Sequence, residues 1–200
     1  MRIRNRSCCS ASVIENQYFT SRKIAEAIAA RLVEPDPPEI VMVHPRNADG
    51  WLEQQAMDHA RDLISTAVEE TDAKDRFELY VPYTGDTPIY VHAKLMIVDD
   101  EILRIGSANL NNRSLGLDSE CDTVLDTTRA HNAGRGLEDR IREIRVSLLA
   151  EHCGADEAEM EAALEEHGSM QGAIAALGFS GRRRLRPYLP PSKSEFQEWL

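Results

Sequence analysis

The sequence lacks any apolar run long enough to cross a bilayer, for which about 20 consecutive apolar residues are needed. The arginines among its first ten residues are not followed by the apolar stretch of a secretory signal. Internal repeats and low-complexity segments are also missing. These absences argue against a helical membrane protein, and they predict a location in the cytoplasm or at the periphery of a membrane.

Cysteine is scarce, and its placement excludes the usual cysteine-based sites. The four residues are Cys8, Cys9, Cys121 and Cys153. None belongs to a CxxC pair or to a Cys/His cluster with the spacing of zinc ligands. We therefore expect free thiols, which are typical of a reducing compartment.

Positively charged residues are outnumbered: the sequence has 23 Lys and Arg residues and 34 Asp and Glu residues, which gives a formal net charge of -11. An acidic chain repels polyanions, which weighs against a protein that coats DNA or RNA. With 42% hydrophobic residues the chain can bury a core without disulfides or metals.

Short apolar runs alternate with segments of helical periodicity, and helices dominate after about residue 130. This order predicts an α/β fold, a mixed β-sheet flanked by helices with a helical C-terminal tail. Residues 1–150 would form the sheet domain, and residues 151–200 a helical extension packed on it. The predicted strands are 12–15, 40–43, 77–81, 89–98, 102–105 and 121–125. The predicted helices are 20–34, 50–69, a segment from about 130 to 153, 156–166 and 170–177.

The segment Tyr90-Val-His-Ala-Lys-Leu-Met-Ile-Val-Asp-Asp100 carries the chemical signal. On a strand, alternate side chains share a face, so His92 and Lys94 are expected to point the same way. An imidazole beside an ammonium is poorly suited to an apolar core. Either a carboxylate or an anionic ligand such as phosphate is therefore expected to meet them.

The following strand ends in Gly106-Ser-Ala-Asn109. If the turn at Asp99 and Asp100 folds the two strands together, Ser107 and Asn109 lie near His92 and Lys94, where they would donate hydrogen bonds to phosphoryl oxygens. Gly106 would let the backbone approach a bound group. Glu120 is a candidate for the carboxylate that orients the histidine.

Taken together, these residues resemble the HKD signature of the phospholipase D superfamily. The pattern is His92-x-Lys94-x4-Asp99, then Gly106-Ser-Ala-Asn-Leu-Asn-Asn-Arg-Ser114, then Glu120. The segment Ile14-Glu-Asn-Gln-Tyr-Phe-Thr20 also resembles the one that follows the interdomain region in two-motif phospholipases D.

The resemblance implies roles for these positions. A motif histidine, matched by His92, either attacks phosphorus to form a phosphohistidine or acts as the acid and base. Lys94, Ser107 and Asn109 match phosphate-binding positions, and Glu120 matches the supporting carboxylate. Asp99 matches the motif aspartate and is expected to be structural, since it is an odd number of residues from His92. Candidate residues lining the pocket are Glu15, Asn16 and Gln17. No cofactor or metal is implied.

Family active sites combine two such motifs, and this sequence has one. It begins almost where the second half of a two-motif enzyme would begin. The missing half would come from a separate N-terminal half or from a second copy of this chain. The expected substrate is a glycerophospholipid whose head group is cleaved or exchanged, with peripheral membrane contact and with nucleic acid disfavoured.

Two alternative functions and one question about a basic cluster remain open. One is a nuclease or a cardiolipin synthase-like enzyme, which share the motif. Another is an inactive, truncated half-enzyme with an exposed apolar docking surface. For the arginine cluster at positions 182, 183, 184 and 186, both contact with anionic lipid and pairing with the acidic body of the protein are considered.

Overall fold

The computed structural model describes residues 11–46 and 51–189, and the side chains of residues 51–59 are not described. The strands are β1 (Ala11–Asn16), β2 (Glu39–Val43), β3 (Phe77–Thr84), β4 (Thr87–Pro88), β5 (Lys94–Val98), β6 (Ile102–Gly106), β7 (Asp122–Asp126) and β8 (Arg183–Pro187). The helices are α1 (Arg22–Leu32), α2 (Trp51–Glu69), α3 (Leu137–Cys153), α4 (Glu157–His167) and α5 (Met170–Leu177).

One mixed sheet organises the described part of the chain, in the order β4-β3-β2-β1-β5-β6-β7, with β8 also paired to β3. Strands β1, β2 and β3 are parallel to one another. Strand β5 is antiparallel to β1, and β5, β6 and β7 then form an antiparallel meander. The predicted α/β class with a mixed sheet and flanking helices is confirmed.

The two faces of the sheet pack against different helices because successive side chains of a strand point in opposite directions. In β1, Val13 packs with residues of α3, α4 and α5, while Ile14 packs with residues of α1 and α2. Strand β2 is buried along its whole length, since Val41 and Val43 face one helical layer and Ile40 and Met42 face the other. An unbroken apolar run such as that from Ile40 to Val43 is typical of a sheet covered on both sides.

The C-terminal helices are joined to the start of β2 through one buried carboxylate. Glu39 accepts hydrogen bonds of 2.7 Å from the hydroxyl of Ser169, 2.8 Å from the backbone N–H of Met170 and 2.7 Å from that of Gln171. These donors lie at the start of α5. The first backbone N–H groups of a helix have no acceptor within the helix, and Glu39 supplies one. The predicted helices near 156–166 and 170–177 are thus present as α4 and α5, and they pack on the sheet.

The structure differs from the predicted elements at several places. Strand β3 extends beyond the predicted residues 77–81 to Thr84, and the helix expected from about residue 130 begins at Leu137. The strand expected over residues 89–98 begins only at Lys94, because residues 89–93 have no partner strand and leave the sheet. Strand β8 was not predicted. Its sequence is mostly arginine, and the one buried side chain of Leu185 is too weak a signal to indicate a strand.

Cysteines 121 and 153 are free thiols, and burial raises the pKa of Cys153 to about 12. The other two, Cys8 and Cys9, lie outside the described residues. Within the described ranges, no helix is both long and apolar enough to cross a membrane.

Candidate active site

The site forms where β1 and β5 lie side by side. In the antiparallel register Asn16 faces Lys94, so the two side chains lie on the same side of the sheet, the side covered by α1 and α2. His92 precedes β5 and is exposed, whereas Lys94 and Asn16 are buried. A buried cation next to an exposed imidazole is the core of the candidate site.

The ammonium of Lys94 is held by three groups. Its Nζ lies 3.1 Å from Nδ1 and 3.3 Å from Nε2 of His92, so the imidazole and the ammonium are in contact as predicted. It also donates to the backbone carbonyl of His92 at 2.9 Å and to Oε1 of Gln17 at 3.0 Å. Because Lys94 has three N–H donors, these partners fix the direction in which its charge is presented.

Burial sets the electrostatics of this lysine. Desolvation lowers the pKa of Lys94 below its ordinary value, and the negative charge of Glu120 acts in the opposite direction. A desolvated ammonium gains more from an added anion than a solvated one does. The cation is therefore suited to bind an anionic group such as a phosphoryl oxygen.

Ser107 and Glu120 meet beside this lysine. The hydroxyl of Ser107 donates to Oε2 of Glu120 at 2.5 Å and accepts from the backbone N–H of Cys121 at 2.9 Å. Among the described residues the carboxylate of Glu120 is thus bonded to Ser107 and not to the imidazole of His92. The support of His92 by Glu120 stays a prediction.

Gly106 allows strand β7 to approach closely, whereas the sequence predicted the approach of a bound group. It pairs with Asp122 of β7, and a Cβ atom at position 106 would lie 1.7 Å from Oδ1 and 2.7 Å from Cα of Asp122. That aspartate binds Arg104 and accepts from the backbone N–H of Ala108. The glycine therefore brings β7 against the loop that carries Ser107 and Asn109.

Two asparagines provide polar atoms that the protein leaves unused. Oδ1 of Asn16 accepts from the backbone N–H of Leu110 at 3.0 Å, which joins β1 to the loop after β6. Its Nδ2 is buried and has no hydrogen-bond partner among the described residues, and the same holds for Oδ1 of Asn109. Buried polar groups are rarely left unpaired in folded proteins, so these atoms indicate a place for a polar ligand.

Asp99 does not reach this site. It lies in the β5–β6 turn with a φ of 56°, and its carboxylate accepts a 2.8 Å hydrogen bond from the backbone N–H of Ala11. It is five positions along the chain from Lys94, a distance of roughly 16 Å in an extended strand. Its position agrees with the structural role expected for it and not with a place among the catalytic residues.

Glu15 lies on the opposite face of the sheet from Asn16. It is buried, and its carboxylate is 2.9 Å from Nε2 of His152 on α3. Together with His92 it lines a cavity of 260 Å³ on that side. Of the three proposed lining residues, Gln17 and Asn16 thus lie at Lys94, while Glu15 faces this cavity on the other side of the sheet.

Tyr90 is a site residue that the sequence pattern does not single out. Its ring lies alongside that of His92, with centroids 6.3 Å apart, and its hydroxyl accepts from Nε2 of Gln17 at 2.7 Å. An aromatic residue two positions before the histidine was the available signal. Through Gln17, this tyrosine is linked to Lys94.

The arginine cluster is engaged by the acidic body of the protein. Arg184 and Arg186 both contact Asp86, Arg183 contacts Glu151, and the guanidinium of Arg186 lies 4.2 Å from the centre of the Tyr83 ring. These contacts agree with the pairing alternative. Within residues 11–46 and 51–189 there is no group of three His, Cys, Asp or Glu side chains arranged to hold a metal ion.

The geometry can be compared with known proteins. The family model described as Phospholipase D matches residues 13–177, which include most of β1, the segments 92–99 and 106–114, and α3 to α5. The chain belongs to the phospholipase D family. This result confirms the family resemblance found in the sequence.

Two similar curated relatives of this phospholipase D family member are plant proteins. Phospholipase D gamma 2 of Arabidopsis thaliana is 44% identical over 77 residues, which are 36% of this chain and 9% of the relative. Phospholipase D alpha 1 of Spuriopimpinella brachycarpa is 41% identical over 68 residues, 33% of this chain and 8% of the relative. The matched part thus spans less than a tenth of the curated relatives.

Two solved structures are similar at a lower level. The phospholipase D family member Nuc from Salmonella typhimurium has a TM-score of 0.43 and 16% identity, covering 70% of this chain and 78% of that one. Phosphatidylserine synthase of Haemophilus influenzae has a TM-score of 0.45 and 17% identity, covering 68% of this chain and 33% of that one.

Proposed function

We propose that this chain supplies one catalytic half of a phospholipase D-type phosphodiesterase, which cleaves or exchanges the head group of a glycerophospholipid. The observation that carries the proposal is the contact of the buried Lys94 ammonium with the ring of His92, at 3.1 Å. The unpartnered Nδ2 of Asn16 supports it, since a buried N–H donor beside a cation suits a phosphoryl oxygen.

The proposed reaction has two steps and uses two histidines. A ring nitrogen of one histidine attacks phosphorus, and the bond from phosphorus to the head-group oxygen breaks. The leaving alcohol takes a proton from the second histidine. That histidine then removes a proton from water or from another alcohol, which attacks the phosphohistidine and releases phosphatidate or a new phospholipid.

Within this scheme His92 is one of the two histidines, and Lys94, Ser107 and Asn109 bind the phosphoryl group. Lys94 neutralises the charge that grows on the phosphoryl oxygens in the transition state, and it does so best in a partly dehydrated site. We propose that Glu120 supports the charged form of the histidine. Asp99 has no chemical role in this scheme.

The second histidine must come from a partner, because the sequence offers a single HxK segment of this kind. We propose that the partner is either a second copy of this chain or a separate N-terminal half. The acidic net charge of -11 favours a lipid over a nucleic acid as the substrate. The division at residue 150 into a catalytic half-domain and a helical extension also stays a prediction.

The test measures release of the head group from phosphatidylcholine vesicles by the purified chain, with its mass determined by light scattering. We expect activity in a dimer, and loss of at least about a thousandfold in His92→Ala. His131→Ala is the matched control, because His131 is an exposed loop residue away from the site.

Three outcomes would contradict parts of the proposal. Full activity in His92→Ala excludes this histidine from the chemistry, and an active monomer excludes the need for a second half. Salt-sensitive cleavage of DNA by the dimer, without cleavage of the lipid, would assign the chain to the nuclease alternative.

A further inference from the structure

His44 is a buried histidine whose ring makes no hydrogen bond within residues 11–46 and 51–189. It directly follows β2, it is 1% exposed, and both of its ring nitrogens are buried without a partner. The carbonyl of Pro45 lies close enough to act on the pKa of the ring, but it accepts its hydrogen bond from Arg61, at 3.4 Å. Buried polar groups are rarely left unpaired in folded proteins, so this ring indicates a further group that it binds.

The register of the sheet places His44 beside the candidate active site. Glu15 of β1 pairs with Val43 of β2, so the next residues along these parallel strands, Asn16 and His44, are also neighbours. On its other side Asn16 faces Lys94 of β5. His44, Asn16 and Lys94 therefore form one row across three adjacent strands.

The side chains of this row lie on the same face of the sheet. Met42, two residues before His44, packs on the face covered by α1 and α2, and side chains two residues apart in a strand share a face. The ring of His44 accordingly lies edge-on to the ring of Tyr188, which packs on that face, with centroids 5.0 Å apart. Neighbouring strands are about 4.8 Å apart, so roughly 10 Å of sheet separates His44 from Lys94. The two side chains can therefore contact one bound phosphoryl group from opposite sides.

The charges around His44 favour an anion as the group that it binds. Burial, and then the positive charge of Arg61, lower the pKa of His44 to about 3, so the ring is neutral at pH 7 and carries one N–H donor. Arg61 is itself buried; its guanidinium donates to the hydroxyl of Tyr188 at 2.9 Å and lies 3.9 Å from the carboxylate of Asp62. The row thus has one buried cation at its end, Lys94, and a second one next to His44.

The donors of the row match the acceptors of a phosphoryl group. Nδ2 of Asn16, in the middle of the row, is a buried N–H donor without a partner in the described part of the chain. Lys94, Asn16 and His44 could each donate to a different phosphoryl oxygen. Hydrogen bonds to an anion are stronger than those between neutral groups, and a dehydrated environment strengthens them further.

We infer that His44 is a further substrate-binding residue, which donates a hydrogen bond from its ring to an oxygen of the phosphoryl group held at Lys94. The inference rests on the proposed function and adds to the same site a residue from outside the HxK segment. The ring of His44 binds and orients this group, while bonds to phosphorus are made and broken at His92 and its partner histidine.

The test titrates the chain, labelled with ¹⁵N in its histidines, with inorganic phosphate at pH 7. The ring nitrogen signals of His44 are expected to shift as phosphate binds, and this shift should be absent in Lys94→Met at the same phosphate concentrations. His44→Phe keeps an aromatic ring against Tyr188 but removes the donor, and it should weaken phosphate binding about tenfold. His44→Gln keeps an N–H donor and should recover most of the lost affinity.

His131→Phe is the matched control, since it makes the same replacement at an exposed loop position and should bind phosphate as the unchanged chain does. Circular dichroism and urea unfolding establish that each variant is folded. If His44→Phe does not fold, the ring signals of the unchanged chain decide the matter. Ring signals that stay constant at saturating phosphate, or undiminished affinity in a folded His44→Phe, would overturn the inference.

The same titration separates this inference from the proposed function. Phosphate binding that is lost in Lys94→Met but leaves the ring of His44 unaffected removes His44 from the site and leaves the proposed function standing. A response of His44 to phosphate that persists in Lys94→Met contradicts a shared site. A chain that binds no phosphate contradicts the phosphate site of the proposed function, and the role of His44 falls with it.

Discussion

The side-chain oxygen of Gln17 accepts a 3.0 Å hydrogen bond from the ammonium of Lys94, although the two residues are 77 positions apart. The same glutamine donates to the hydroxyls of Tyr90 and Tyr18. Its amide is therefore oriented from both ends, with the oxygen directed at the cation. Gln17 is thus a positioning residue for Lys94.

Replacement of Gln17 tests this relationship through the pKa of Lys94. Gln17→Leu removes an acceptor that favours the charged ammonium, so we expect the pKa of Lys94 to fall below its already lowered value. Gln17→Glu places a negative charge there and should raise that pKa. A pH titration of the ¹⁵N-labelled lysine side chains measures both, and shifts in the same direction would contradict the assigned contact.

Lys94→Met is expected to abolish phosphate binding and yet stabilise the fold. A methionine fills a similar volume without the cost of burying a charge, and we expect a gain of about 1 kcal/mol in the free energy of unfolding at pH 7. Lys23→Met, at an exposed position of α1, is the control and should change little. Urea unfolding measures both, and a Lys94→Met variant less stable than the parent would refute this expectation.

The stability gained in Lys94→Met is expected to depend on pH. Because the pKa of Lys94 is lowered on folding, the unfolded chain binds more protons in the pH range between that lowered value and the ordinary 10.5. The stability contributed by Lys94 therefore rises with pH across this range, and the cost of its burial is fully present below it. The advantage of Lys94→Met should accordingly shrink as the pH approaches 10.5.

Gly106→Ala should be strongly destabilising, because the new Cβ would lie 1.7 Å from Oδ1 and 2.7 Å from Cα of Asp122. Backbone must move to relieve the second contact, and we expect a loss of about 2–3 kcal/mol in urea unfolding. Gly116→Ala is the control, since its nearest neighbour would be an oxygen of Asn112 at 3.5 Å, an ordinary contact. Similar effects of the two substitutions would show that β7 does not approach as described.

Asp99→Ala should lower stability without altering the site. The substitution removes the 2.8 Å hydrogen bond to Ala11 and places alanine at a φ of 56°, together a loss of about 1–2 kcal/mol. Asp99→Asn keeps an acceptor and tolerates this φ, so it should recover most of the loss. A changed Lys94 titration in Asp99→Ala would show instead that the turn communicates with the site.

Much of the site could be predicted because its signals are local. The two-residue spacing of His92 and Lys94, and the tight turn after Val98, together indicate that the next strand returns beside β5. This argument predicts Ser107 near Lys94, and in the structure the carboxylate bonded to Ser107, that of Glu120, acts on the charge of Lys94.

Other features have no local signal. Residues 89–93 keep the alternation of a strand, yet no partner strand reaches them, so they form a wall of the cavity instead. The pairing of Glu15 with His152 joins positions 137 apart, and nothing near Glu15 in the sequence indicates it. The burial of Glu39 likewise depends on hydrogen-bond donors at the start of α5, which are distant from it in the sequence.

The dependence of Glu39 on Ser169, Met170 and Gln171 has a consequence for synthesis on the ribosome. The carboxylate of Glu39 lacks these hydrogen-bond donors until residues more than a hundred positions later have emerged. Native contacts between such distant positions slow folding. We expect a nascent chain released before α5 to remain sensitive to protease at β2, because Glu39 then lacks the donors that it binds in the folded protein.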